Sequence, residues 1–245
     1  MKWRQDRMRY VVDTHTHTFV SGHAYSTLRE MILAAKEKGL EALAITEHAP
    51  EMPGTCHEFY FQNLKVVPRM RDSIRVYMGV ELNILDEEGT VDLGDGLLKR
   101  MDIVIASLHG PCYRGERTQE AVMNAYFKAM ENPHIDIIGH PDDGRFPVDY
   151  EALVLKAKET GTLLELNNSS LRPGGFRMNT MENDREMLEL CKKHQVMITL
   201  GSDAHVDMDV ANINIASQLL EECDFPEELI VNTSLEKLEK VLNGG

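Results

Sequence analysis

The chain has 245 residues, 42% of them apolar and 27% charged, and carries a net charge of −14. That balance excludes disordered, collagen-like and coiled-coil classes. It also argues against standing nucleic-acid binding, because an acidic chain lacks the basic face such proteins present, so an anionic ligand has to be drawn by a local positive site.

The first stretch, "MKWRQDRMRYVVD", has no long apolar segment of the secretory kind, and no run of about 18 apolar residues occurs anywhere. The four cysteines, Cys56, Cys112, Cys191 and Cys223, are scattered without a CxxC pair and read as free thiols of a reducing compartment. The expectation is a cytoplasmic protein with no membrane segment.

Taken in chain order, short apolar runs that end in polar or ionisable residues alternate with helical patterns. The expected strands are "YVVDTH" (10–15), "ALAITEH" (42–48), "RVYMGVELN" (75–83), "DIVIASLH" (102–109), "IDIIGH" (135–140), "TLLELNN" (162–168) and "VMITLGSDAH" (196–205). Helices are expected over 26–39, 118–131, 149–161 and 184–195, where apolar residues recur at three- and four-residue spacing and Gly39 and Gly161 sit at C-cap positions. The tail adds two helices and a short extended piece, with Ser234 as N-cap of the last helix. Continuous apolar strands alternating with helices imply a parallel sheet buried on both faces, and seven such units suggest a closed or nearly closed α/β barrel, spanning 1–245 as a single domain.

Seven of the ten histidines fall at or just past the C-terminal end of an expected strand: His15, His17, His23, His48, His109, His140 and His205. Glu81 and Asp203 hold similar places. In a parallel barrel those ends share one mouth. Each residue alone reads as an ordinary hydrogen-bonded side chain or cap. Together, seven imidazoles and two carboxylates would compete for partners unless they bound metal. His15 and His17, like Asp203 and His205, stand two residues apart, which in a strand turns both side chains to one side. His134 and His194 read as surface residues, and His57 is left open as a rim residue.

The motifs "DTHTH" (13–17), "ITEH" (45–48), "GVELN" (79–83), "ASLHG" (106–110), "IIGHP" (137–141), "LELNNSS" (164–170) and "GSDAH" (201–205) resemble, in order, the PHP (polymerase and histidinol phosphatase) superfamily, and within it the stand-alone YcdX-like phosphatases. The resemblance implies a distorted (β/α)7 TIM-like barrel holding three divalent metals at its C-terminal mouth, most simply zinc, with manganese or iron as substitutes. It implies His15, His17, Glu81 and Asp203 around one metal, Glu81 bridging to a second with His109 and His140, and His23, His48 and His205 around a third. Glu47, where many members carry aspartate, would orient a ligand. A trimer is plausible by the same resemblance.

The reaction so implied is hydrolysis of small phosphate monoesters by a metal-bridging hydroxide, with Glu81 and Asp203 in the catalytic centre. Three metals against two carboxylates leave a local field of about +4, which would draw a phosphorylated metabolite to an acidic protein. Arg114 in "HGPCYRGER" and Arg172 in "NNSSLRPGG" follow strand ends and are each candidates to grip phosphate, with a solvated loop residue the alternative for both. Cys112 reads as a spectator. The competing functions are a histidinol-phosphate phosphatase, for which Asp142, Asp143 or Glu51 would hold the amine, a nuclease or phosphodiesterase, and a non-catalytic metal-binding scaffold.

Overall fold

The protein is described by a computed structural model covering residues 8–243. Residues 1–7, within the stretch read for a leader, and 244–245, the end of the expected domain, lie outside the described residues. The elements are β1 (Val12–Asp13), α1 (Leu28–Glu37), β2 (Ala42–His48), α2 (Phe59–Gln62), β3 (Met70–Arg71), β4 (Ile74–Asn83), α3 (Asp95–Leu98), β5 (Val104–Ser107), α4 (Gln119–Met130), β6 (Ile137–Gly139), α5 (Tyr150–Thr160), β7 (Leu163–Asn167), α6 (Thr180–His194), β8 (Ile198–Gly201), α7 (Asn214–Glu222) and α8 (Leu235–Leu242).

The helices start where the chain supplies caps. Thr27 and Glu30 form a reciprocal capping box at α1, and Thr118, Asp149 and Ser234 cap α4, α5 and α8 through their side chains. Gly161 closes α5 in the left-handed region at φ 77°. Seven strands pair in parallel in the order β1-β2-β4-β5-β6-β7-β8, with the short β3 added antiparallel to β4. Strand β2 is buried along its whole length, as a strand covered on both faces must be.

The two outer strands approach each other and nearly close a barrel. Thr16 pairs with Ala204 as an isolated parallel bridge, and the Asp203 N–H donates to the His15 carbonyl at 2.9 Å. Below that point Asn232, from the tail, bonds both outer strands. Its Nδ2 donates to the carbonyls of Val12 (3.1 Å) and Leu200 (2.8 Å), and its Oδ1 accepts from the Leu200 N–H at 2.7 Å. One side chain thus supplies ladder bonds that the strands do not make to each other. The barrel's lower interior holds Val12, Ala42, Ala44, Tyr77, Ile105 and Leu163, and Leu238 of α8 packs into the same cluster.

The expected strands are all present but several end earlier than expected. The first is regular only over Val12–Asp13, and the last stops at Gly201 rather than at His205. His140 and Asp203 explain two of these ends, since φ of 31° and 53° cannot continue a strand. The extended piece of the tail is a single bridge from Ile230 to Ile198, flanked by 3-10 turns.

Asp136, just before β6, accepts from the Val104 N–H at 2.8 Å. Burial pushes its carboxyl up to about 7, and that one backbone bond only partly opposes it. The folded state therefore favours the protonated acid. The stability this gives is full below the unfolded value near 4 and is lost as pH rises through 7. Asp136→Asn keeps an acceptor and removes the charge, so its Tm gain over the parent is larger at pH 8 than at pH 5. An equal difference at both pH values would contradict this.

Candidate metal centre

Glu81 lies at the centre of the barrel's C-terminal mouth. The β2–β4 register sets His48 directly opposite Glu81. Five imidazoles surround the carboxylate. His48 Nδ1, His15 Nε2 and His17 Nε2 lie 2.7, 3.3 and 3.5 Å from Oε2, and His140 Nε2 and His109 Nε2 lie 2.9 and 3.1 Å from Oε1. Asp203 Oδ1 is 3.3 Å from His17 Nε2, 3.7 Å from His15 Nε2 and 3.5 Å from His205 Nδ1. The His23 ring packs 4.8 Å from that of His48 and 5.0 Å from that of His205, centroid to centroid. All nine residues singled out from the sequence thus meet in one cluster.

Alternation along a strand is not what joins the pairs. His15, His17, Asp203 and His205 all lie past the ends of their strands. His15 and His17 nonetheless bring their Nε2 atoms to 3.0 Å.

The donor set fits divalent metal. His48 Nδ1 and Glu81 Oε2 face each other at 2.7 Å out of line for a hydrogen bond and are buried without another partner, a cost that a cation held by both removes. Three overlapping groups gather their ligand atoms within 4.8 Å: His15, His17 and Asp203; His17, His48 and His205; His48, Glu81 and His109. Imidazole with carboxylate suits zinc and its neighbours. Burial would raise the acids Glu81 and Asp203, but His109, His15 and His48 around the first, and His15 and His17 around the second, hold both well below the carboxylate range. Burial, reinforced by His48 and His205, pushes His23 down to about 4, leaving it neutral and free to bind metal.

Behind this ring stands a set of positioning groups. Glu165 of β7 accepts from His15 Nδ1 at 2.7 Å and from the His140 N–H at 2.9 Å. Gly201 makes room for it, because a methyl there would lie 2.0 Å from Glu165 Oε1. Asn83 Oδ1 takes a bond from His109 Nδ1 at 2.8 Å. Glu47 accepts from Ser21 Oγ at 2.6 Å, and that oxygen lies 3.3 Å from His17 Nδ1. Such partners fix the tautomer and orientation of ligand histidines. Glu165 and Asn83 were overlooked in the sequence, although both sit inside its motifs. Their inward direction depends on strand register.

A cavity of about 620 Å³ opens over the cluster, lined by His23, His48, His109, Asp203 and His205 and by three arginines, Arg145, Arg172 and Arg177. Arg114 is a correction. It lies off this wall, its side chain 65% exposed and paired with Glu51, because its N–H is tied to the Leu85 carbonyl at 2.7 Å. Arg172 reaches the wall but spends Nη1 on Asp209 at 2.9 Å. The arginine nearest the cluster is Arg177, missed in the sequence because it lies ten residues past β7. Its side chain is only 9% exposed, with Nη1 2.9 Å from Ser170 Oγ and both Nη atoms 3.4 Å from Asp203 Oδ2. Cys112 is buried beside Met52 and Leu85, its thiol pushed up to about 12 by burial, so it offers no nucleophile. Of the amine-holding candidates, Asp143 is paired with Arg145, Glu51 with Arg114, and Asp142 bonds Ser170. None of the three lines the cavity. His57 is exposed and off the wall, and His194 pairs with Glu151.

The PHP domain family profile matches residues 13–223. A probable phosphatase of Caldicellulosiruptor saccharolyticus is 49% identical over 225 residues, covering 92% of this chain and 92% of the relative. A probable phosphatase of Caldanaerobacter subterraneus subsp. tengcongensis is 44% identical over 245 residues, covering 99% and 94%. Among solved structures, the histidinol phosphate phosphatase of Lactococcus lactis, complexed with zinc, L-histidinol and phosphate, superposes with a TM-score of 0.60 at 19% identity, covering 89% of this chain and 95% of the other. That likeness establishes the shared fold.

Proposed function

The chain belongs to the PHP domain family, and we propose that it is a metal-dependent phosphatase hydrolysing small phosphate monoesters, acting as one domain. The observation that carries this is the ring of five imidazoles around the buried Glu81 carboxylate, under a cavity walled by arginines. The relatives named as phosphatases support it.

His15, His17, Glu81 and Asp203 would hold one metal, Glu81 with His109 and His140 a second, and His23, His48 and His205 a third, zinc suiting the set best. Divalent metal held there supplies Lewis acidity to the phosphoryl group and activates water for attack on phosphorus. The net reaction breaks the ester P–O bond. The water oxygen stays on phosphate, and its proton leaves with the alcohol.

The chain's own residues bind and orient. Glu165, Asn83 and Ser21 hold the imidazoles of His15, His109 and His17 in place. Arg177, fixed by Asp203 and Ser170, presents its guanidinium to a phosphoryl oxygen, a charge-assisted contact that strengthens as negative charge develops. No helix among the described residues is long and apolar enough to cross a membrane. With its free thiols, this favours a cytoplasmic setting.

Arg177→Gln is expected to lower kcat/KM on p-nitrophenyl phosphate by roughly 100-fold and to weaken inhibition by inorganic phosphate, with metal content kept. An unchanged phosphate inhibition constant would remove Arg177 from the site.

A further inference from the structure

Resting on the phosphatase reading, we infer that the substrate's leaving group carries a second anionic group, a carboxylate or another phosphate, received by Arg145 and Arg172. One phosphoryl group has a sufficient partner in the metal cluster and Arg177. The cavity nevertheless presents two more arginines, whose ion pairs go to Asp143 and Asp209 rather than to the nine clustered residues.

Both are held by carboxylates, Arg145 by Asp143 behind the wall and Arg172 by Asp209 on it. Asp143 takes Nε of Arg145 at 3.0 and 2.9 Å and Nη2 at 2.5 Å. These bonds leave Nη1, which stands where a methyl on the wall residue Gly110 would lie 3.5 Å away. Asp209 takes Nη1 of Arg172 at 2.9 Å, while Nη2 is buried with no protein partner. A buried guanidinium N–H without an acceptor is costly. Nη2 itself is closed off, but the Arg172 side chain is 34% exposed on the cavity wall, where its charge meets an anionic ligand.

The opposite charge finds nothing to hold it. Among the described residues, the carboxylates lining the cavity are Asp203 and Asp209, paired with Arg177 and Arg172. A cationic amine would therefore meet three guanidiniums and no free acid. The loop carrying Arg172 and Arg177 also presents Phe176, 71% exposed, against which the Arg145 and Arg177 guanidiniums pack at 4.9 and 5.3 Å from the ring centre. That aromatic contact orients both arginines at the cavity rim.

A two-carbon series tests this on the metal-loaded enzyme. The esters are ethyl phosphate (neutral leaving group), 2-phosphoglycolate (carboxylate), 1,2-ethanediol bisphosphate (second phosphate) and O-phosphoethanolamine (amine), with p-nitrophenyl phosphate as the reference. One charge-assisted contact of about 1.5–3 kcal/mol is worth roughly 10- to 100-fold. The carboxylate or the bisphosphate is therefore expected to exceed ethyl phosphate in kcat/KM by at least about 10-fold, and the amine by more. Which of the two leads tells carboxylate from phosphate. In Arg145→Gln and Arg172→Gln the ratio of the preferred anionic ester to ethyl phosphate is expected to fall towards one. Equal rates across the series, a preference for the amine, or a ratio unmoved in both variants would overturn the inference while p-nitrophenyl phosphate turnover left the phosphatase reading standing. Absence of turnover on every ester, the reference included, would overturn both.

Discussion

Glu81→Gln is expected to lower phosphatase turnover at least about 1,000-fold, equivalent to about 4 kcal/mol of lost transition-state stabilisation. The substitution keeps shape and volume and removes one charge. Among the described residues, that charge is the only one shared by His15, His17, His48, His109 and His140, each with a ring nitrogen within 3.5 Å of it. A neutral amide offers one acceptor where the carboxylate offers two. It also cannot offset two cations, so metal content is expected to fall with activity. Folding is expected to persist, because the site is walled by the barrel rather than built from its apolar core, and removing a buried charge spares a desolvation cost. Far-UV circular dichroism and metal analysis on the variant separate the two effects. Activity within a few-fold of the parent would refute the central role of Glu81.

Asn232→Ala is expected to lower Tm by roughly 5–15 °C. The side chain bonds Val12 on β1 and Leu200 on β8, all within the buried interior. Truncation orphans the Val12 carbonyl and the Leu200 N–H. At about 1–3 kcal/mol for each unpaired buried group, the loss is about 2–6 kcal/mol, and in a chain of this size each kcal/mol shifts Tm by roughly 2–4 °C. The consequence reaches the active end. β1 leads into His15 and His17, and β8 into Asp203 and His205, so a loosened seam is expected to weaken metal retention on heating before the chain unfolds. A Tm within about 1 °C of the parent would show that the seam is held by the Thr16–Ala204 bridge and the backbone bonds above it instead.

The barrel and the nine clustered residues were legible in the sequence because both are written in local pattern. Apolar runs alternating with helical periods fix the order of elements, and seven imidazoles with two carboxylates at the ends of such runs are together too many to be filler. What was not legible depends on contacts distant along the chain. His140 and Asp203 end their strands through positive φ, which no spacing reveals. Asn232 stood in the tail, read from the sequence only for its helices and an extended piece, and its role rests on a strand 220 residues away. Arg172 drew attention by following a strand end, whereas Arg177 reaches the cluster because its loop folds back over the mouth. Arg114 followed a strand end equally well and was carried away by a single backbone bond to Leu85. Proximity in sequence to a strand end finds residues that the strand itself positions. It does not find those positioned by loops.

The central claim is that the nine clustered residues hold catalytic metal, and metal content by mass spectrometry, read beside p-nitrophenyl phosphate hydrolysis on the same freshly purified sample, tests it most directly. The account predicts close to three divalent ions per chain, with turnover that falls on chelation and returns when zinc or manganese is restored. Fewer than one tightly held ion per chain, with no turnover after metal is supplied, would contradict it.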